Sequence, residues 1–70
     1  MTPEEAVLRV LADADEPLHW TVIQDRALRA GYLDPFETPN VRDVVLTAVR
    51  ALVTDGRIAR TATGVYVLTA

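Results

Sequence analysis

The chain has no cysteine, no lysine and no serine among its 70 residues. Without cysteine there are no disulfides and no thiolate zinc sites. A single histidine cannot complete a metal site, so neither metal nor cofactor is expected. With serine and cysteine missing and no Gly-rich phosphate loop, no nucleophile constellation is visible. Catalysis is not expected of this chain. Neighbouring carboxylates such as Glu4-Glu5 and Asp13, Asp15 and Glu16 fall at expected helix ends and loops, where solvated surface is the simpler reading. No apolar run approaches the roughly 20 residues that span a bilayer, and no basic-then-apolar pattern opens the sequence. A cytoplasmic protein without a membrane partner is the expectation. All seven basic residues are arginine. Beside so much Ala, Val, Leu, Asp and Thr, this resembles the coding bias of a GC-rich, bacterial genome rather than selection for arginine chemistry.

Seventy residues fit one domain, 1–70, which buries only about 60% of its unfolded surface. Half the residues are hydrophobic, enough for a single core. The net charge of −3 is low for a free-standing nucleic-acid binder, but it is unevenly spread. Residues 1–37 hold eight acids and three arginines, or −5; residues 38–70 hold two acids and four arginines, or +2. An acidic half facing away from a polyanion and a basic half facing it matter more than the sum.

The pattern along the chain predicts three helices and a hairpin. Thr2-Pro3-Glu4-Glu5 is a capping box, opening a helix to about Ala14. Val7, Val10, Leu11 and Ala14 form its inner stripe, with Leu8 beside it and a Glu5–Arg9 pair outside. Asp15-Glu16-Pro17 ends it. Leu18 is placed in a very short strand joining the later hairpin. A second helix starts at either His19 or Thr21, the latter through a Thr21/Gln24 capping box, and runs to about Ala30. Ile23 and Ala27 face inward, Asp25 and Arg29 pair outside, and Gly31 stops it. Tyr32, Leu33 and Phe36 in the following loop are apolar enough to pack as a lid. Thr38-Pro39 is a helix start, so the third helix is expected over Pro39–Asp55. Its buried stripe is Val41, Val45, Ala48, Val49 and Leu52. Asp43, Thr47, Arg50 and Thr54 line the other face, with Arg42 and Leu46 at its flank. Gly56 stops this helix; Arg57–Arg60 and Val65–Leu68 are strands around the turn Thr61–Gly64.

A helix running straight into a hairpin is the second half of a winged helix. The expected fold class is therefore α+β, a winged helix-turn-helix in the order α-β-α-α-β-β. Pro17-Leu18-His19, then Ile23, Thr38-Pro39, a helix, and Gly64-x-Tyr66-x-Leu68 resemble the HARE-type helix-turn-helix family over roughly residues 3–68. That family occurs in some restriction endonucleases, Polycomb-associated Asx-like proteins and the delta subunit of bacterial RNA polymerase. The likeness implies a DNA-binding or a chromatin- and polymerase-associated module. Val22 departs from it where many relatives carry glutamate, and Ile58 replaces an aromatic.

Three functional readings follow as expectations. The first is double-stranded DNA binding in transcription regulation or targeting, weak and salt-sensitive and nucleoid-associated. Helix 39–55 would enter the major groove and wing 57–68 would lie on the backbone. Arg50 and Thr47 are the base-reading candidates, with Asn40 and Arg42 on the same helix; Arg57, Arg60, Thr61 and Thr63 suit phosphates. An ordinary wet helix face is the bland alternative, and Asp43 on it repels phosphate. The second is a protein-docking module using Trp20, Tyr32, Phe36 or Leu46, or the acidic helices. A homodimer with DNA affinity only from two copies is a third. His19 reads as a cap or packed ring, and Trp20 as core or rim rather than a base-stacking platform.

Overall fold

The computed structural model describes residues 1–69, so Ala70, the last residue of the expected domain, lies outside the described residues. The first helix, α1 (Pro3–Ala12), begins as the capping box requires. The Glu5 amide donates to the Thr2 hydroxyl at 3.2 Å, and the Thr2 amide donates to the Glu5 carboxylate at 3.1 Å. Two amides left orphaned by the helix start are thereby satisfied. The expected Glu5–Arg9 pair does not form, because that carboxylate is turned back onto Thr2. Arg9 instead meets Asp13 at 3.5 Å. The helix ends two residues before Ala14, where the Ala14 amide closes a tighter turn on the Leu11 carbonyl. Ala6, Val7, Val10 and Leu11 are buried.

The two-residue strand β1 (Leu18–His19) leads directly into α2 (Trp20–Arg29). Of the two predicted starts, the earlier is adopted: His19 Nδ1 accepts the Thr21 amide at 3.2 Å. The Thr21/Gln24 box is not made, and the Gln24 Oε1 atom is left without a partner among the described residues. Ile23 and Ala27 are buried, and Arg29 meets Asp25 at 3.1 Å on the wet side. Gly31, at φ +77°, turns the chain away after the last helical turn. Leu33 is buried and Tyr32 is packed at the core's edge, but Phe36 is 97% exposed. The expected three-residue lid is thus a two-residue one. A turn held by Phe36 N–H to the Asp34 carboxylate (2.8 Å) and Thr38 N–H to the Asp34 carbonyl (2.9 Å) carries the ring outward.

That turn also moves the start of the third helix. Thr38 closes that turn, Pro39 and Asn40 follow it, and α3 (Val41–Thr54) begins two residues later than predicted. Its N-terminal flank is Asn40, at φ 54° with no side-chain cap. The first helical bond runs from the Val44 amide to the Asn40 carbonyl at 3.0 Å. The inner stripe is as expected: Val45, Ala48, Val49 and Leu52 are buried, and Val41 packs at the margin.

Beyond Gly56, β2 (Ile58–Ala62) and β3 (Val65–Leu68) form a hairpin. All pairing is antiparallel, in the order β1-β3-β2, with β3 in the middle. The turn is shorter than the expected Thr61–Gly64, since Thr61 and Ala62 remain in β2. Register steps from Arg60↔Tyr66 to Ala62↔Val65, which leaves Thr61 as a bulge. Helix α1 packs on α2, α3 and β3, and the core is continuous from Val7 and Ile23 through Val49 and Leu52 to Ile58. The result is a small α+β domain of three helices and a three-stranded antiparallel sheet.

Candidate nucleic-acid interface

The outer face of α3 follows from helical periodicity. Asp43, Leu46, Thr47, Arg50 and Thr54 recur at the spacing that aligns side chains on one side of a helix. All are exposed except Leu46, which is half-buried yet outside the core cluster. Arg50 lies toward the C-terminal end of this stripe.

The sheet brings a second arginine to the same place. Arg60 is the register partner of Tyr66, so the two share a face of the sheet with Ile58 and Leu68. Ile58 is buried under α3, while Arg60, two residues on, has passed the edge of the core and is exposed. Its side chain therefore lines a hollow of about 520 Å³ with Arg50, Val53, Thr54 and Tyr66. No carboxylate is among those residues. Neither arginine has an ion-pair partner among the described residues, whose two salt bridges are Arg9–Asp13 and Arg29–Asp25.

A third arginine joins through an aromatic. Arg42, in the first turn of α3, lies 5.5 Å from the centre of the Trp20 ring, within cation–π range. Trp20 is in turn tied to the hairpin, because its amide donates to the Gly64 carbonyl at 2.9 Å. The hairpin turn is thus held against the start of α2, with the His19 and Trp20 rings beside it, tilted 34° to one another and 5.7 Å apart between centroids. Trp20 is half-buried, as a rim residue rather than a free platform. Thr61 and Thr63 are exposed on the hairpin, and Arg57 is exposed just before β2.

The remaining candidates fall elsewhere. Asn40 and Thr47 line a different groove, of about 600 Å³, between the N-terminal ends of α1 and α3. Glu4 and Asp43 share it, so this side is acidic rather than phosphate-seeking. The eight expected DNA contacts therefore divide. Arg50 and Arg60 are brought together, Arg42 is linked to the hairpin, and Asn40 and Thr47 turn toward carboxylates. Asn40 also has a backbone role, in the left-handed conformation that precedes the helix.

Neither Tyr66 nor Val53 was a site candidate from the sequence, where Tyr66 entered only through the family motif. The signal for Tyr66 is the alternation Gly64-x-Tyr66-x-Leu68, which puts Tyr66 and Leu68 on one face. Val53 carried no such signal; its 39% exposure reflects a position on the flank of the outer stripe.

Among the described residues there is no cluster of metal-ligating side chains, and no helix is long and apolar enough to cross a membrane. The chain matches no protein-family model, no curated protein and no solved structure.

Proposed function

We propose that this domain is a winged helix-turn-helix that binds double-stranded DNA as a regulatory or targeting module, without enzymatic activity. Its support is the element order α-β-α-α-β-β with a short β1 joined to the hairpin, together with one observation that carries the reading. Arg50 on α3 and Arg60 on β2 line a single hollow with no carboxylate among its lining residues, and neither arginine has an ion-pair partner among the described residues. In this reading α3 enters the major groove and Arg50 reaches base edges, where its fork matches guanine O6 and N7. Arg60, Arg57 and the Thr61 and Thr63 hydroxyls lie along the flanking phosphates and fix position without specifying sequence. Arg42 is held by Trp20 near the hairpin turn and adds to the positive field.

The acids set the limit on affinity. Asp43 stands on the outer stripe of α3 and Glu4 beside it, so phosphate is repelled from the N-terminal half of the helix. Binding is accordingly weak and orientation-dependent. The test is an NMR titration of the folded domain with random duplex DNA at low salt. Shifts are expected in the amides of residues 50–66 and at Arg42, and none on the acidic outer side of α1. If no amide between residues 41 and 66 moves, the DNA reading fails and α3 serves protein docking instead.

A further inference from the structure

The outer stripe of α3 is self-complementary when a second copy is laid against it in reverse. Its midpoint lies between Leu46 and Thr47. Asp43 stands three and a half residues before that point and Arg50 the same distance after it, so their positions are about 10 Å apart along the axis. A two-fold axis through the midpoint sets Asp43 of one copy opposite Arg50 of the other, and the same pair again on the far side. Both residues are exposed, and neither has an ion-pair partner within the chain among the described residues. Leu46, half-buried but not packed on the core, is left at the centre.

The ends of the helix match as well. Phe36 precedes the N-terminus of α3 and is 97% exposed, on a loop ordered by the Asp34 turn. An ordered turn that holds an aromatic ring in water presents an anchor rather than hiding one. The hollow of Arg50, Val53, Thr54, Arg60 and Tyr66 lies at the C-terminal end of α3, about 20 Å from the start of the helix. The two-fold that pairs Asp43 with Arg50 runs the helices antiparallel, so the N-terminal end of each α3, where the Phe36 loop joins it, meets the C-terminal end of the partner helix, where the hollow lies. The charges agree. Phe36 is followed by Glu37 and has Asp34 two residues before it, and the hollow is rimmed by Arg50 and Arg60.

We propose that two copies of this chain associate through antiparallel α3 helices, with Asp43–Arg50 pairs across a Leu46 centre and Phe36 seated in the partner copy's arginine-rimmed hollow. One helix face and a loop make a small interface, at the weak end of the range for specific contacts. The proposal does not depend on DNA binding. Where both hold, they compete for α3, because the dimer covers Arg50 and Arg60.

The experiment is sedimentation equilibrium of the full chain without DNA, at low salt and up to about 2 mM, a range suited to an interface this small. The weight-average mass is expected to rise from 7.7 kDa toward twice that value. Phe36→Ser, at a fully exposed position that folding does not need, should lower the association constant about tenfold. Asp43→Arg and Arg50→Asp should each lower it about tenfold or more by setting like charges opposite one another. The double reversal Asp43→Arg/Arg50→Asp should bind at least about threefold more tightly than either single variant, since the helix pair is then remade with its ends exchanged, but stay below the parent because the hollow has lost one of its two arginines. A chain that stays at monomer mass throughout, a Phe36→Ser variant that associates like the parent, or a double reversal as weak as the single ones overturns the proposal. Failure of the dimer leaves the DNA reading untouched, and a DNA titration run at protein concentrations where the chain sediments as a monomer tests that reading separately.

Discussion

The His19 imidazole occupies the space that a side chain on Gly64 would need. A Cβ at that glycine would stand 2.8 Å from His19 Nε2 and 3.2 Å from Trp20 Cδ1, on a backbone at φ +73°. Gly64→Ala should therefore cost about 2 kcal/mol from steric conflict and left-handed strain together. In the background of His19→Ala the same change should cost less, because the imidazole has gone and only the Trp20 contact and the left-handed strain remain. Urea denaturation of the four proteins in this cycle gives both numbers.

Asn40 should behave as a backbone residue. Its side chain caps nothing, and its φ of 54° is one that glycine adopts without penalty. Asn40→Gly should change stability by no more than about 0.5 kcal/mol, whereas Asn40→Val should lose about 1–2 kcal/mol, the cost of forcing a branched side chain into that region. Thermal melts of the two variants distinguish this role from a capping one, which would make both substitutions costly.

Val49 lies at 1% exposure in the middle of the core. Val49→Asp would bury a carboxylate with no partner, and such a change commonly exceeds the stability of a domain this small. Cooperative unfolding should be lost in circular dichroism. A variant that melts like the parent would mean that the inner face of α3 is elsewhere.

For DNA, Arg50→Ala should reduce discrimination between sequences, while Arg60→Ala should weaken binding to all of them alike. Three or so phosphate contacts give a log–log salt slope near about −3. Fluorescence anisotropy with two duplexes of different sequence, across a salt series, checks both. Asp43→Asn, which removes a repelling charge, should raise affinity without changing sequence preference.

The capping box makes a prediction about acid. The bond from the Thr2 amide, and after it the Thr2 hydroxyl, holds the Glu5 carboxyl below its ordinary pKa of 4.5. The folded value is therefore lower than the unfolded one. Its contribution to stability is fully present above the unfolded value and is lost as pH falls through the folded one. Glu5→Gln should flatten the acid limb of a stability–pH curve between pH 5 and the acid end while leaving neutral-pH cooperativity intact. A limb of unchanged slope would assign acid sensitivity to other carboxylates.

Local rules with a single answer were legible in the sequence. Thr2 with Glu5, Gly31 after Ala30 and Gly56 after Asp55 each satisfy or release backbone groups that nothing else nearby competes for. Rules that competed were not legible. Glu5 was expected in two bonds, and the box, which satisfies a backbone amide, took the carboxylate from Arg9. Thr38-Pro39 had the form of a helix start, but Asp34 closes a turn around Thr38 and defers the helix to Val41. Phe36 had the composition of a lid residue, and that same turn points it away. The site was legible by element and not by grouping. Arg50 and Arg60 could be assigned to a helix face and a strand, whereas their meeting over Tyr66 depends on the register of β2 with β3. That register rests on the Thr61 bulge, for which no glycine or proline gives notice.

The sheet order has a bearing on solubility. With β3 in the middle, both borders of the sheet carry backbone groups open to another strand, the usual starting point for aggregation. One border is β1, only two residues long and too brief to template a neighbour. The other is β2, which is kinked at Thr61 and carries the exposed charge of Arg60 just before the kink. A flat incoming strand would have to match a bent ladder and bury a cation to join it. The bulge that delivers Arg60 to the hollow therefore also guards the longer border, and straightening it by deleting Thr61 should yield a chain that still folds but precipitates on concentration.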